Sequence, residues 1–385
     1  MRALAFLVPV VAAAVVAGSS LAGREARWTI TDLGTLGGKY QSCVAAAVND
    51  QGQIAGGCGD ARGFQHAFLW QRGRLTYLGT LGGRDSSASL IDSRGRIAGT
   101  SLTAKPAHVH GFLWQAGKMT DLGTLGGKSS RVRAMNDRGQ VVGESETADG
   151  KVHAYLWQHG KMTDLGTLGG RDSIALAIND RGQVVGGADT RSGKEHAFLW
   201  QHGKMTDLGT LGRAYPTSRA VAIDAAGQVV GASYGTKVTQ SGVQGHAFLW
   251  QNGVMHDLGV AVPGDLNSTA VAINDAGVVA GWSDDGHGRF HPALWRGGKP
   301  FALQTLGGNG FTEIGALNAH GLVVGDSVTP KGPAHAVVWE QGRATDLGTL
   351  GGEQSSASAV NAHGWIVGTA WLKNGHSHGV LWTQR

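Results

Sequence analysis

The sequence predicts an all-β fold, an eight-bladed β-propeller of four-stranded blades closed by its own N-terminal strand. Three observations predict it. A phrase of the form "HAFLWQHGKMTDLGTLG" (196–212) recurs eight times, with its histidine at His66, His110, His153, His196, His246, His291, His335 and His378. The intervals are 44, 43, 43, 50, 45, 44 and 43 residues, within the range of four-stranded propeller blades. Each period holds four short apolar runs and no helical periodicity long enough to compete.

The fourth unit shows the elements in order. "IALAIN" (174–179) is a first strand of small and branched residues, and "DRG" turns it into "QVVGGA" (183–188). A variable stretch precedes "HAFLW" (196–200), and "QHG" turns that strand into "KMTDLG" (204–209). Gly182 and Gly203 suit the left-handed position of a type I turn with a bulge. In "HAFLW", His196, Phe198 and Trp200 share one face while Ala197 and Leu199 take the other. Both faces are largely apolar, so both must be covered, as in a blade stacked between two neighbours. The strand ends on a tryptophan in every unit (Trp70, Trp114, Trp157, Trp200, Trp250, Trp295, Trp339 and Trp382), a ring suited to filling space between blades.

The ends predict closure. "RWTITDLGTLGG" near the start reads as a last strand and "HGVLW" at the end as a third strand. The strand around Trp28–Leu33 would therefore complete the final blade and remove the exposed edge. One propeller domain over 28–382 follows. A β-solenoid is the alternative, but its ends need capping units and neither terminal unit resembles one.

The first residues read differently. Arg2 precedes an apolar run and the small residues Ser20-Leu21-Ala22, the pattern of a secretory signal peptide over 1–22. A single transmembrane anchor competes, but the run from Ala3 to Ala17 is about 15 residues and short for a bilayer. The expected location is periplasmic or extracellular. Cys43 and Cys58 flank the turn "NDQG" on facing strands. In an exported chain they could form a disulfide, provided the register sets both on one face. The alternative is two small buried thiols.

The motifs "HAFLW", "TDLGTLGG" and "AIND.GQVVG" in combination resemble the HAF-repeat family of secreted bacterial proteins. The resemblance covers nearly all of the mature chain. It implies a secreted repeat protein and brings no catalytic residues with it. Some units depart: Gly replaces Ala at 111 and 379, Pro292-Ala293 replaces Ala-Phe, and Tyr77 and Gln304 stand where other units have Asp.

The net charge of +5 comes without any Lys/Arg block, which argues against a nucleic-acid partner. A feature written eight times is read as mechanical. The repeated His is expected to fix strands, with the Asp of "TDLG" (Asp32, Asp121, Asp164, Asp207, Asp257, Asp346) as partner. His108 with His110, and His376 with His378, pair imidazoles on one strand face. Two ligands do not make a transition-metal site, so no metal, cofactor or catalytic residue is assigned. "NDRGQ" (179–183) reads as turn chemistry.

Binding is expected where units differ, on the face carrying the "GTLGG" connections and the variable loops. There Lys39, Arg84, Lys128, Arg171 and Arg213 follow the loop in five units, then Asp265, Asn309 and Glu353 in three. A cationic arc of this kind suits a carbohydrate acid or another anionic ligand. The longest insertion, 233–245, and the segments 212–218 and 284–291 add Tyr215, Tyr234, Asp284, Asp285, His287 and Arg289, with Trp282, Phe290 and Trp371 as further loop aromatics. The expected function is a monomeric, exported binding scaffold. The alternative is a glycan-directed hydrolase or lyase using acids and His of this face, which would need nonrepeating acids or bases to converge.

Overall fold

The computed structural model describes residues 27–37, 42–308, 310 and 312–384; the expected signal peptide and Lys39 lie outside the described residues. Eight four-stranded antiparallel sheets form a ring. Blades 1 to 7 run in simple meander order over 43–77, 82–121, 126–164, 169–209, 217–257, 267–302 and 313–346. Blade 8 takes three strands from 351–384 and its fourth from β1 (Trp28–Asp32), which pairs Ile30 with Trp382 and Asp32 with Val380. The ring rules out the solenoid.

The first strands of neighbouring blades pack on one another all the way round, including the last onto the first, while the fourth strands are splayed. The first strands therefore ring the axis. Alternation within "HAFLW" fills both gaps beside a blade. Phe198 packs with Val142, Leu156 and Leu165 of blade 3. Ala197 and Leu199 pack with Phe248 and Val229 of blade 5. Of the strand-end tryptophans, Trp157, Trp295, Trp339 and Trp382 are buried, whereas Trp70, Trp114, Trp200 and Trp250 are only half-buried. The latter cover the gap rather than fill it.

Polar clasps join the blades at both ends of the first strand. On the loop-bearing side, Ser86 accepts the Ala67 N–H of the preceding blade at 2.9 Å and donates to its Gly79 carbonyl at 2.7 Å. Ser130, Ser173, Ser218 and Ser355 repeat both bonds. On the turn side, the asparagine of "IND" does two jobs. Asn179 closes its own turn through Oδ1, and its Nδ2 donates to the Asp224 carbonyl of the next blade at 2.9 Å. Asn49, Asn136, Asn274, Asn318 and Asn361 do the same, the last reaching the Asn49 carbonyl across the closure. The expected turn is present, but it is also the clasp.

Two blades carry Asp at this position and solve the loss differently. Asp92 holds Arg96, whose guanidinium reaches the Asp137 and Arg138 carbonyls of blade 3. Asp224 has no such arginine. Its Oδ1 accepts the Gln228 N–H, while the buried Oδ2 has no partner. Burial raises its pKa, and Asp275 on the next blade adds to the rise.

The disulfide also has a place in the repeat. Cys43 stands directly opposite Cys58 in the register, and the two are bonded. Other blades put Ser86 opposite Ser101 and Ser130 opposite Ser145 at this point.

Two stability predictions follow from these substitutions within the repeat. Asp224→Asn should restore the amide donor and raise stability at neutral pH by about 1–3 kcal/mol. Because the folded pKa of Asp224 is raised, wild type should lose stability relative to the variant as pH rises from about 4. Thermal unfolding of both proteins across pH 3–8 checks this. Replacing Cys43 and Cys58 together by Ser should leave a folded ring, at a cost of at most about 3 kcal/mol for a loop of this length, measured by denaturant titration.

Candidate functional site

The repeated histidines are held in place by carboxylates. Nδ1 of His110, His153, His196, His246, His335 and His378 lies 2.8–2.9 Å from the aspartate of the fourth strand. The same aspartate closes the following turn, as Asp207 does on the Gly209 N–H. Two units lack it and find another. His66 turns its Nε2 to Asp60, with Tyr77 edge-on against the ring at 4.8 Å. His291 pairs with Asp265. In that unit the register sets Ala302 opposite Ala293, where Asp207 stands opposite Phe198. Ala302, not Gln304, therefore occupies the Asp position; the departure of "KPFALQTLGG" from the repeat hid the alignment. Asp265 is buried and accepts from Ser283, so it adds no acid to the mouth. Among the described residues no three His, Cys, Asp or Glu side chains gather to hold a metal.

The loop-bearing face carries the rim cations. Arg84, Lys128, Arg171 and Arg213 are all exposed. Arg84 lies 5.3 Å over the Phe64 ring, and Arg171 is 3.9 Å from Asp172. Neighbouring acids turn inward to backbone N–H groups: Asp85 to Gln65, Asp172 to Val152, and Glu146 to Lys128. The cations are thus presented to solvent while these carboxylates are occupied.

A second set of charges, not singled out from the sequence, stands deeper on the first strands. In blade 3, Ser130 and Val132 are buried, and the alternate residues Arg131 and Arg133 are exposed. Because this strand borders the axis, both stand at the channel wall. Arg133 makes a bidentate bond to Glu144 at 2.8–2.9 Å. Arg219 of blade 5 does the same with Glu195 of blade 4 at 2.6–2.7 Å. The two guanidiniums repel although their blades are not adjacent, as expected of groups sharing an inner edge. Half-buried Tyr234 sits beside this pair; burial pushes its phenol up while Arg219 pulls it down. Blade 7, diametrically opposite blade 3, carries Glu313 paired with Asp326. Burial raises Asp326 to about 6, against a bond from Ser356 and with help from Glu313. The channel therefore carries Arg131 and two Arg–Glu pairs on the side of blades 3 to 5, and Glu313 with Asp326 on the side of blade 7.

The loops expected to carry chemistry are instead locked together. The hairpin around 233–245 leans on the loop at 284–291, through the Gln240 N–H to the Gly286 carbonyl and the Gly288 N–H to Ser241. Asp284 accepts from Asn267 and the Gly286 N–H. Asp285 accepts the His287 and Arg289 N–H groups, which holds it below the usual carboxylate range. These acids serve turns, while the His287 and Arg289 side chains are exposed. Tyr215 packs on His246 at 4.9 Å. Tyr234 is therefore a channel-side residue, and Tyr215 shields a histidine.

No family model matches the chain, and no curated protein matches it. Solved structures share its fold. The β-propeller domain of the Trilobed protease from Pyrococcus furiosus, described as having an open velcro topology, covers 80% of this chain and 98% of its own, at 12% identity and a TM-score of 0.50. The acylaminoacyl peptidase of Pyrococcus horikoshii covers 86% of this chain and 59% of its own, at 13% identity and a TM-score of 0.51. The fold is a β-propeller. At these identities the likeness extends no further than that, and in this chain strand pairing closes the ring.

The Asp257 bond raises the pKa of His246 above its ordinary value, with burial opposing and the Leu266 carbonyl of the next blade assisting. The stabilisation is thus fully present below about pH 6.5 and is lost as pH rises through the raised value. Asp257→Asn should bring the His246 titration back toward 6.5, followed by NMR, and should flatten the pH dependence of melting over that window.

Proposed function

We propose that the protein is an exported binding scaffold of the HAF-repeat type that takes an anionic ligand, such as an acidic polysaccharide, on its loop-bearing face. One observation carries this reading. Exposed Arg131, on the first strand of blade 3, stands just below the exposed Arg84, Lys128, Arg171 and Arg213. Exposed charges that agree in sign and make no packing contact point to a ligand rather than to the scaffold. Export is supported by the N-terminal pattern and by a disulfide, which persists in oxidising compartments.

The test is binding of alginate and of neutral dextran to the protein without residues 1–22. Alginate should bind and weaken as salt rises; dextran should not compete. Arg131→Ala and Lys128→Ala should each reduce alginate affinity several-fold while leaving the melting temperature unchanged. Alginate affinity unchanged from wild type in both variants, or equal binding of dextran, would refute the reading.

A further inference from the structure

Between blades 7 and 8 the residues cannot make a carboxylate tie that two other seams have. Between blades 1 and 2, the N–H that precedes the repeat histidine, Gln65, donates to Asp85 of the next blade at 2.9 Å. Between blades 3 and 4, Val152 donates to Asp172 in the same way. The corresponding residues in blades 7 and 8 are Ala334 and Gln354, so the short carboxylate is gone. The loop before Ala334 is held in its own turn by the Thr329 N–H to the Pro333 carbonyl. A cavity of about 670 Å³ opens here, lined by Leu306, Pro330, Pro333, Lys331, His335 and Glu353 among others. A second hollow of about 330 Å³ shares Glu353 with it and is bordered by Gln354, Trp371 and Lys373.

We propose that these joined hollows bind a neutral saccharide of at least two pyranose rings. Leu306 and the two prolines offer flat apolar surface in one hollow, and Trp371 offers an indole in the other. A pyranose presents C–H groups on its faces and hydroxyls around its edge, so each ring needs such a platform plus polar groups at the side. Glu353, at the ridge between the hollows, accepts two hydroxyls; Gln354 beside it both donates and accepts. His335 is oriented by Asp346 at 2.8 Å, which leaves its Nε2 for a sugar hydroxyl. Lys331 and Lys373 offset Glu353, so this cleft carries both signs of charge and no excess of cations. It lies in blades 7 and 8, away from Arg131 and Lys128 in blade 3.

The experiment measures maltose, cellobiose, mannobiose and N,N′-diacetylchitobiose by saturation-transfer NMR and calorimetry against the chain without residues 1–22. At least one disaccharide should bind. Trp371→Ala and Glu353→Gln should each weaken it by about tenfold or more. Gln354→Asp, which restores the carboxylate for the Ala334 N–H, should narrow the cleft and abolish binding while the protein stays folded. Arg131→Ala should leave disaccharide binding unchanged, which separates this site from the anionic one. Absence of binding by all four sugars, or binding indifferent to both Trp371→Ala and Gln354→Asp, overturns the proposal.

Discussion

A single side chain at the end of the first strand, an asparagine in six of the eight blades, governs this ring. The asparagine amide closes its own turn with one atom and grips the next blade with the other. Both partners are backbone groups at equivalent positions, so the bond sets the spacing of successive blades, and a repeated spacing is what closes a circle. Apolar packing supplies most of the stabilisation, but it is nondirectional and would tolerate other angles. A buried, directional hydrogen bond does not, because leaving the amide unpaired costs about 1–3 kcal/mol per site. Arg96 illustrates the constraint: where the amide is absent, a longer side chain spans the same gap to the same blade.

Within such a frame, chemistry can enter only where the clasp and the packing leave room. Most residues facing a neighbouring blade are small or apolar. The alternate positions of the first strand, and the loop-bearing face, are free of that demand. The lone charges of blades 3, 5 and 7 fall there, and so does the gap beside Glu353. Repetition thus provides rigidity, and its interruptions provide individuality.

Much of this was legible in the residues. The 44-residue spacing, the two-sided apolar "HAFLW" strand and the terminal half-units lead directly to blades and to their closure, because those signals are local or periodic. The His–Asp pairing was legible too, since both partners recur at a fixed separation. The asparagine clasp was not: its turn bond lies four residues away, but its second partner lies a whole unit away. Arg131 and Arg133 read as ordinary polar residues of a short strand until that strand is known to border the axis. Asp265 was misjudged because its loop departs from the "GTLGG" pattern, and Gln304 because "KPFALQTLGG" keeps the spacing but loses the residues that mark it. The cleft beside Glu353 is lined by residues of two units, which no single stretch of chain records.

The provenance of the closing strand has a further consequence. Trp28–Asp32 is contributed from the opposite end of the chain to the blade it completes. Until it arrives, the third strand of that blade presents an open edge, and the matching segment of another copy fits it equally well. Crowded, newly made chains are therefore exposed to reciprocal strand exchange, giving twinned rings whose individual contacts are all native. Slow, dilute maturation favours the solitary form.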